Sequence, residues 1–374
     1  MDGVIFGAVI AARVLVPIAI PRFPLPAMLA ALVIDGMDQT IFQTFTSLDL
    51  DGYQDYDKAL DVYYLSIAYT ATLRNWTHHT AIAVARSLYY FRLVGVVLFE
   101  VTQLRPLLLV FANTFEYLFD LYEAIRARWD PRRLSDRSVI GAAAFIWIVI
   151  KLPQEWWIHV AQLDATDLIK EVVFGAPTDA SWIDAVATRP IVVALVAIVV
   201  VALAIAARWV VVHHLPPADH RLIFDADKGQ PPVDPAAVER ERRRLAARLF
   251  DRELIEKTAL VAVVSITFGR LLPGVDATPI QTAIGILIII LVNTAITEAL
   301  VRQDASWQSA VRQFVVMLVI NVGIVAVGQA LLTSLTDQRL EHAVVFAGLL
   351  TLIVTLYDRY RPIHVARFTA DHRG

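Results

Sequence analysis

The sequence contains no cysteine, so the chain has no disulfide bond, no thiol nucleophile and no thiolate ligand for a metal. It also lacks a Walker motif, an HExxH motif, a GxSxG motif and a glycine-rich phosphate loop, which argues against an ATP-driven protein or a classical hydrolase. Lysine is scarce, with 5 residues against 28 arginines in a background rich in alanine and valine. This composition favours a bacterial protein from a GC-rich genome.

Apolar residues are abundant instead, since they make up 57% of the 374 residues and give a mean hydropathy of +0.58. These values are typical of polytopic membrane proteins. The net charge of −3 gives no indication of a nucleic-acid partner. The N-terminal segment, residues 1–21, has neither a basic region nor a small-residue cleavage site, so we expect a retained helix rather than a signal peptide.

Eleven apolar runs are long enough to cross a bilayer as helices. They lie at about 4–20, 27–46, 57–74, 79–101, 104–125, 138–159, 190–213, 254–272, 279–301, 313–332 and 337–357. The predicted fold is therefore an all-α polytopic transmembrane bundle of about ten or eleven spans.

Lysine and arginine are distributed unevenly between the two sides of these spans. One side, which includes the loop after residue 213, holds 23 of them, and the other side holds 6. Because basic residues accumulate in cytoplasmic loops, we expect a multi-pass cell-membrane protein with its N-terminus outside and its C-terminus in the cytoplasm. The predicted parts are a polar-interior transmembrane half (1–160), an extracytoplasmic loop (161–189), the seventh span (190–213), a cytoplasmic linker with a basic amphipathic helix (214–253), an apolar transmembrane half (254–357) and a cytoplasmic tail (358–374).

One predicted span, Leu104–Arg126, is apolar overall and yet carries Asn113, Glu116, Asp120 and Glu123. On a continuous helix these four residues fall within an arc of roughly 80°. A carboxylate that faces hydrocarbon costs about 2.5–3.5 kcal/mol, so this face has to look into protein or a wet cavity.

Most other ionisable residues of the predicted spans also lie in spans two to six. We predict that ten residues of these spans form a substrate-binding or proton-coupling site: Asp35, Asp38, Arg86, Arg92, Asn113, Glu116, Asp120, Lys151, Glu155 and His159. The alternative is that the charges near the bilayer midplane only pair with one another and bind no ligand.

Two charged segments have a plain and a sharper interpretation. Glu155 and His159, at i and i+4, resemble a pair of metal ligands, but nothing completes a set of four ligands, so a surface salt bridge is favoured. We predict no metal, no cofactor and no catalytic residue. The basic helix that follows Asp234 and Pro235 is expected to rest on an anionic leaflet, and docking of a cytosolic partner is the alternative.

The favoured function is a secondary transporter, coupled to ions or protons, of a small and in its sharpest form anionic solute. Arg86 and Arg92 would bind the solute, and Asp35, Asp38 or Glu116 would be the coupling acid. The expected partners are the lipid bilayer and a small solute or ion.

Two other classes of function remain open from the sequence. The first is a non-catalytic scaffold or a subunit of a larger complex, which would use the apolar half as a surface for a homo-oligomer or a membrane partner. The second, less favoured, is a membrane-embedded lipid-modifying enzyme that uses Asp35 and Asp38 with a metal, or Glu155 and His159 as acid and base.

Overall fold

The computed structural model describes residues 2–47, 53–161, 168–178, 180–228, 232–246, 255–262, 291–292, 314–323 and 340–371. These parts of the chain are all-helical and contain no strand, which confirms the predicted class. Five helical segments are long and apolar enough to cross a membrane: Asp2–Ala19, Pro24–Phe45, His79–Phe99, Asp136–Val160 and Pro190–Val210.

The described residues from 2 to 161 form eight α-helices. They are α1 (Asp2–Leu15), α2 (Pro24–Phe45), α3 (Tyr53–Asn75), α4 (His79–Thr102), α5 (Pro106–Val110), α6 (Thr114–Arg126), α7 (Asp136–Phe145) and α8 (Leu152–His159). A 3₁₀ turn, Val16–Ala19, extends α1, and a π-helical segment, Ile146–Lys151, joins α7 to α8.

The second half is described in part. It contains a π-helical turn (Ile169–Phe174), α9 (Trp182–Thr188), α10 (Pro190–His214), α11 (Pro235–Ala246) and α12 (Leu340–Asp371). Residues 255–262, 291–292 and 314–323 are helical as well, and the rest of the predicted spans eight to ten lies outside the described residues. The expected start of α11 is confirmed, because Asp234 Oδ1 accepts the Ala236 amide at 3.0 Å.

The most polar of the long helices, α3, lies in the centre of the bundle. It packs against α1, α2, α4 and α12, and nearly every side chain from Ala59 to Leu73 is buried. Protein rather than lipid therefore surrounds its tyrosines, serine and threonines, which explains why a central helix has a mean hydropathy too low for a lipid-facing span.

The last helix, α12, closes one end of α3. Arg367 donates to the carbonyl oxygens of Arg74 and Trp76, both at 2.8 Å, where the helical hydrogen bonds of α3 run out. α12 is continuous through Asp371, so the segment that we predicted as a tail from residue 358 is helical and packed on α3.

The ends of the helices gather at two poles. At one pole Asp2 accepts hydrogen bonds from the backbone and side chain of Ser47. At the other pole Arg74 pairs with Asp227, and the Ala226 amide donates to the Arg22 carbonyl at 2.8 Å. The segments at this second pole are ones that the arginine distribution assigned to a single side of the membrane.

Candidate functional site: a buried helix break

The helix predicted at 104–125 is interrupted in the structure. α5 ends at Val110, and α6 begins at Thr114. Between them Asn113 (φ −75°, ψ 69°) is the central residue of an inverse γ-turn, in which the Thr114 amide donates to the Ala112 carbonyl at 2.8 Å. The prediction of one continuous helix is therefore wrong here, and Asn113 is the N-cap of α6.

The break is buried within the protein, since Asn113 is 6% and Thr114 1% exposed. Unpaired backbone groups in hydrocarbon cost several kcal/mol each, so irregular backbone at membrane depth persists only inside protein or beside a cavity. Here the Phe111 carbonyl accepts from Arg92 Nη1 at 3.2 Å, and the Asn113 amide donates to Glu155 Oε1 at 3.4 Å. Two charged side chains from other helices thus replace helical hydrogen bonds.

A glycine of α4 makes room for the break. A methyl group on Gly95 would lie 2.1 Å from Phe111 Cβ, which is closer than real Cβ contacts allow. The Phe111 ring packs on Phe91, with the ring centroids 4.6 Å apart. Gly36, the glycine among the charged residues of α2, has no atom within 4 Å of such a methyl group. Of these two glycines, Gly95 is therefore the one that makes a close contact, with Phe111 of the break.

Glu116 is held by three partners from three parts of the chain. Its Oε2 accepts from the Tyr64 hydroxyl of α3 at 2.8 Å and from Asn113 Nδ2 at 2.6 Å. Its Oε1 lies 3.6 Å from Lys151 Nζ, and Glu116 and Lys151 are 6% and 4% exposed. The ammonium group of Lys151 also lies over the Tyr117 ring, 3.8 Å from its centroid.

Glu155 reaches the other side of the break from α8. It forms a 3.0 Å salt bridge with His159, as the i, i+4 spacing predicts, but Glu155 is only 6% exposed, so the predicted position of this pair at the surface is wrong. The helix survives Pro153, and the π-helical segment immediately before α8 ends at Lys151. Such π segments are frequent at functional sites because they re-aim the side chains that follow.

Carboxylates outnumber cations around the break. Glu116, Asp120 and Glu155 carry three negative charges, while Lys151 and Arg92 are the nearby cations. Among these residues one negative charge is in excess when His159 is neutral, and the charges balance when His159 is protonated. We call this set the break cluster: Arg92, Asn113, Glu116, Asp120, Lys151, Glu155 and His159.

Three buried oxygen atoms of this region have no hydrogen-bond partner in the described part of the chain. They belong to Asn113 (Oδ1), Thr114 (Oγ1) and Asp120 (Oδ1). A buried oxygen that accepts no hydrogen bond costs about 1–3 kcal/mol, and native proteins usually satisfy it with water or a ligand. The cluster therefore has both a charge imbalance and unused acceptors.

Asp35 and Asp38 belong to a second cluster on the α1 side. Arg13 pairs with both of them and lies 3.2 Å from Asp61. Tyr64 connects the two clusters, because Asp35 and Asp61 are within electrostatic reach of the tyrosine that binds Glu116 in the break cluster. The structure thus places Asp35 and Asp38, two residues of the predicted site, beside Arg13 of α1.

Arg86 lies apart from the break. Its Nε is 3.4 Å from Glu256, which also accepts a short hydrogen bond from Tyr69. Tyr69 is stacked on Tyr89 with centroids 4.5 Å apart, so stacked tyrosine rings lie beside the Arg86 and Glu256 pair. Of the two arginines predicted to bind a solute, Arg92 alone reaches the break cluster in the described structure.

Among the described residues no group of three or more histidines, cysteines or acids is placed to hold a metal ion. The Glu155 and His159 pair is a salt bridge, and the aspartates of α2 and α3 surround an arginine. The chemistry available at the break is proton exchange and the binding of charged or polar groups.

Sequence reasoning missed several residues of these clusters. Arg13 gave no signal beyond being a charge in an apolar run, and Tyr64 none beyond sharing a face with Asp61. The break itself had a signal, because Asn113-Thr-Phe-Glu116 has the N-cap-to-N3 spacing that marks a helix start before an apolar run. Without glycine or proline in the break, the apolar pattern concealed it.

The part of the chain that the structure describes is all-helical, has a buried polar interior and contains five segments able by length and composition to cross a membrane. No family model, curated protein or solved structure matches this chain.

Proposed function

We propose that the protein is a multi-pass transporter of the cell membrane that moves a small anionic solute together with protons through the break cluster. The observation that carries the proposal is the buried interruption of α5 and α6. In secondary transporters, substrate sites lie where helices are broken near the middle of the bilayer, because the half-helix ends offer unpaired backbone groups and a dipole.

Glu155 occupies the place that a bound anion would take. Its carboxylate faces the amide of Asn113 at the positive end of α6 and lies near Arg92. Carboxylates and phosphates bind at such helix ends for the same electrostatic reason. An anionic solute therefore competes with Glu155 for Asn113 and Arg92, and protonation of Glu155 removes the competitor.

The surrounding charges favour this exchange. The break cluster already contains three carboxylates, so a further anion enters more easily when one of them binds a proton. Glu116 and Asp120 on α6 and Glu155 on α8 are the candidates for that proton. The other ionisable groups near them include Arg92 of α4, Lys151 of the π-helical segment, His159 of α8, Tyr64 and Asp61 of α3, Asp35 of α2, and Glu123 of α6 with its partner Arg126. Uptake of the proton and of the anion are thus linked, which is the requirement for symport.

The proposed topology remains that of the sequence: ten or eleven spans, with the N-terminus outside and the C-terminus in the cytoplasm. It is supported by the gathering of Arg22, Arg74 and Arg133 at one pole, where they pair with Asp225, Asp227 and Asp219.

The test is proton flux in proteoliposomes that contain a pH-sensitive dye. Acetate, lactate, succinate and inorganic phosphate are added outside to wild type, Glu116→Gln and the control Glu239→Gln, which changes an exposed carboxylate of α11. We expect at least one of these anions to acidify the lumen with wild type and with Glu239→Gln, and at least tenfold more slowly with Glu116→Gln. Equal rates in all three proteins would contradict the role of the cluster.

A scaffold or subunit of a larger complex is the second candidate, and α10 is the observation that favours it. Its window Pro190–Val210 has a mean hydropathy of 3.1 and is 0% buried in this chain. Helices exposed over their whole circumference face lipid or a partner. Co-purification of a stoichiometric membrane partner, lost when small residues of α10 are replaced by leucine, would favour this candidate; a monomer active in flux would not.

A further inference from the structure

A second site lies outside the predicted spans, at the pole where the loops meet. The segment after α6 and the linker after α10 enclose a cavity of about 200 Å³. Pockets for drug-sized ligands are about 300–1,000 Å³, so this cavity suits a smaller chemical group. We call it the loop cavity, and the residues that define it are Arg126, Trp129, Arg132, Arg133, His220 and Lys228.

The walls of the loop cavity are joined by hydrogen bonds. The Asp219 amide donates to the Arg128 carbonyl at 3.1 Å, and the Ile223 amide donates to the Ala127 carbonyl at 2.9 Å. Trp129 Nε1 donates to the carbonyl of Pro216 at 3.0 Å. A linker without helical structure is therefore fixed along the end of α6, and the cavity between them has a defined shape.

Glu123 fixes the position of the Arg126 side chain. Arg126 is 8% exposed, and its Nε donates to Glu123 at 2.5 Å. Glu123 is fully buried and accepts from Trp76 Nε1 at 2.8 Å. Because Nε is engaged from the protein side, the two terminal nitrogens of the guanidinium group are the atoms that Arg126 offers to the cavity it lines. A buried and pre-positioned guanidinium group loses little entropy on binding an oxyanion.

The loop cavity is positively charged. Four basic side chains line it together with Asp130 and Asp219, and Arg126 is also paired with the buried Glu123, so one positive charge is left when His220 is neutral. Arg133 pairs with Asp219 at 2.5 Å, whereas Lys228 has no ion pair within the described residues. Arginine matches phosphate oxygens with a planar fork of donors, and lysine adds a point charge.

We propose that the loop cavity binds a phosphate monoester, whose oxygen atoms accept hydrogen bonds from the arginine and lysine side chains and whose negative charge is attracted by the excess positive charge. The phosphate group belongs either to a soluble metabolite or to the headgroup of a lipid such as phosphatidic acid, because the cavity lies where the helices leave the predicted membrane. This site is separate from the break cluster, so it does not depend on the proposed transport.

The experiment measures binding to the full-length protein in nanodiscs. Glycerol 3-phosphate is titrated by calorimetry into nanodiscs of phosphatidylcholine, and the thermal midpoint is compared in nanodiscs with and without phosphatidic acid. The variants are Lys228→Ala and Arg133→Ala, and the control is Arg240→Ala, which removes an exposed arginine of α11.

In Lys228→Ala and in Arg133→Ala we expect the affinity for glycerol 3-phosphate to fall at least tenfold, the phosphatidic-acid shift of the thermal midpoint to halve, or both. Arg240→Ala is expected to respond like wild type. Response to the soluble ester alone identifies a metabolite site, and response to phosphatidic acid alone identifies a lipid site. No response to either probe, or an equal response in all variants, would overturn the proposal. Glu116→Gln is expected to keep the response, which separates this site from transport.

Discussion

The two ends of α6 carry buried carboxylates in contrasting surroundings. At its end, Glu123 is fully buried and is bonded to Trp76 and Arg126, one acid with one base and a neutral donor. At its start, Glu116 shares Lys151 with Asp120 and Glu155, and three nearby oxygen atoms lack partners in the described part of the chain.

This difference separates a structural pair from a site. A carboxylate whose oxygen atoms are all engaged stabilises one conformation and offers no open acceptor to a proton, water or solute. A cluster with surplus acid and open acceptors is stable enough to form and still gains from a proton, water or solute. Both carboxylates are buried, so burial does not distinguish a structural ion pair from a binding site. The number of hydrogen-bond and ion-pair partners does.

The largest effect is expected at the structural end. Glu123→Gln leaves the buried Arg126 without its ion-pair partner, and such changes cost about 3–5 kcal/mol. We expect a large drop in the thermal midpoint in nanodiscs, while Glu239→Gln, on the surface of α11, melts like wild type. A Glu123→Gln protein as stable as wild type would remove the distinction between the two ends.

The second-largest loss of stability is expected at Gly95, where α4 contacts the break. Gly95→Ala drives a methyl group into Phe111, and overpacking of this kind costs about 1–3 kcal/mol. The control is Gly141→Ala in α7, where a methyl group meets no atom within 4 Å and alanine adds helix propensity. Denaturant midpoints measure both. If Gly95→Ala gained stability as Gly141→Ala should, the close contact at the break would be disproved.

A smaller loss of stability is expected for Glu116→Gln, about 1 kcal/mol, because Tyr64 and Asn113 still donate to the amide oxygen and Lys151 keeps Asp120 and Glu155 nearby. Proton flux should fall at least tenfold in the same protein. Parallel measurement of melting and flux tests the contrast with Glu123→Gln, and a loss of stability as large as for Glu123→Gln would make both ends structural.

The smallest effect is expected at the surface of the loop cavity. A hydrogen bond from Arg132 holds the pKa of Asp130 below its usual value. Since the folded pKa is the lower one, the pair stabilises the fold above the ordinary aspartate range, and this contribution is lost as the pH falls through the folded pKa. Arg132→Ala should cost less than about 1 kcal/mol at pH 7 and nothing at strongly acidic pH. Unfolding at both pH values measures the difference.

The composition and the apolar runs were enough to predict the helical class and the concentration of charge in the first half of the chain. They could also place the Glu155 and His159 salt bridge, because an i, i+4 contact is local to one helix. Contacts between helices followed no such rule. Nothing in the spacing of Arg13, Arg86 and Arg92 told which acids each of them meets.

The helix break shows why a periodic pattern misleads at a site. A run of apolar residues indicates the average environment of a whole span. A turn of three residues within that span alters neither the composition nor the length of the run, so the run does not reveal it. Backbone groups of the turn lose their helical hydrogen bonds and bond instead to the side chains of Arg92 and Glu155, which are distant in sequence. Local signals therefore contradict the fold where distant side chains take over backbone hydrogen bonds, and such places are often functional.

The most direct test of the central claim uses the natural absence of cysteine, because a single introduced thiol is then the only one in the protein. Thr114→Cys at the break is compared with Thr70→Cys in the core of α3; the two threonines are 1% and 0% exposed. A transporter must open its site to water, so we predict that a membrane-impermeant methanethiosulfonate modifies Thr114→Cys at least tenfold faster than Thr70→Cys in proteoliposomes. Equal, slow modification of both would show that the break is a sealed structural feature and would contradict the account.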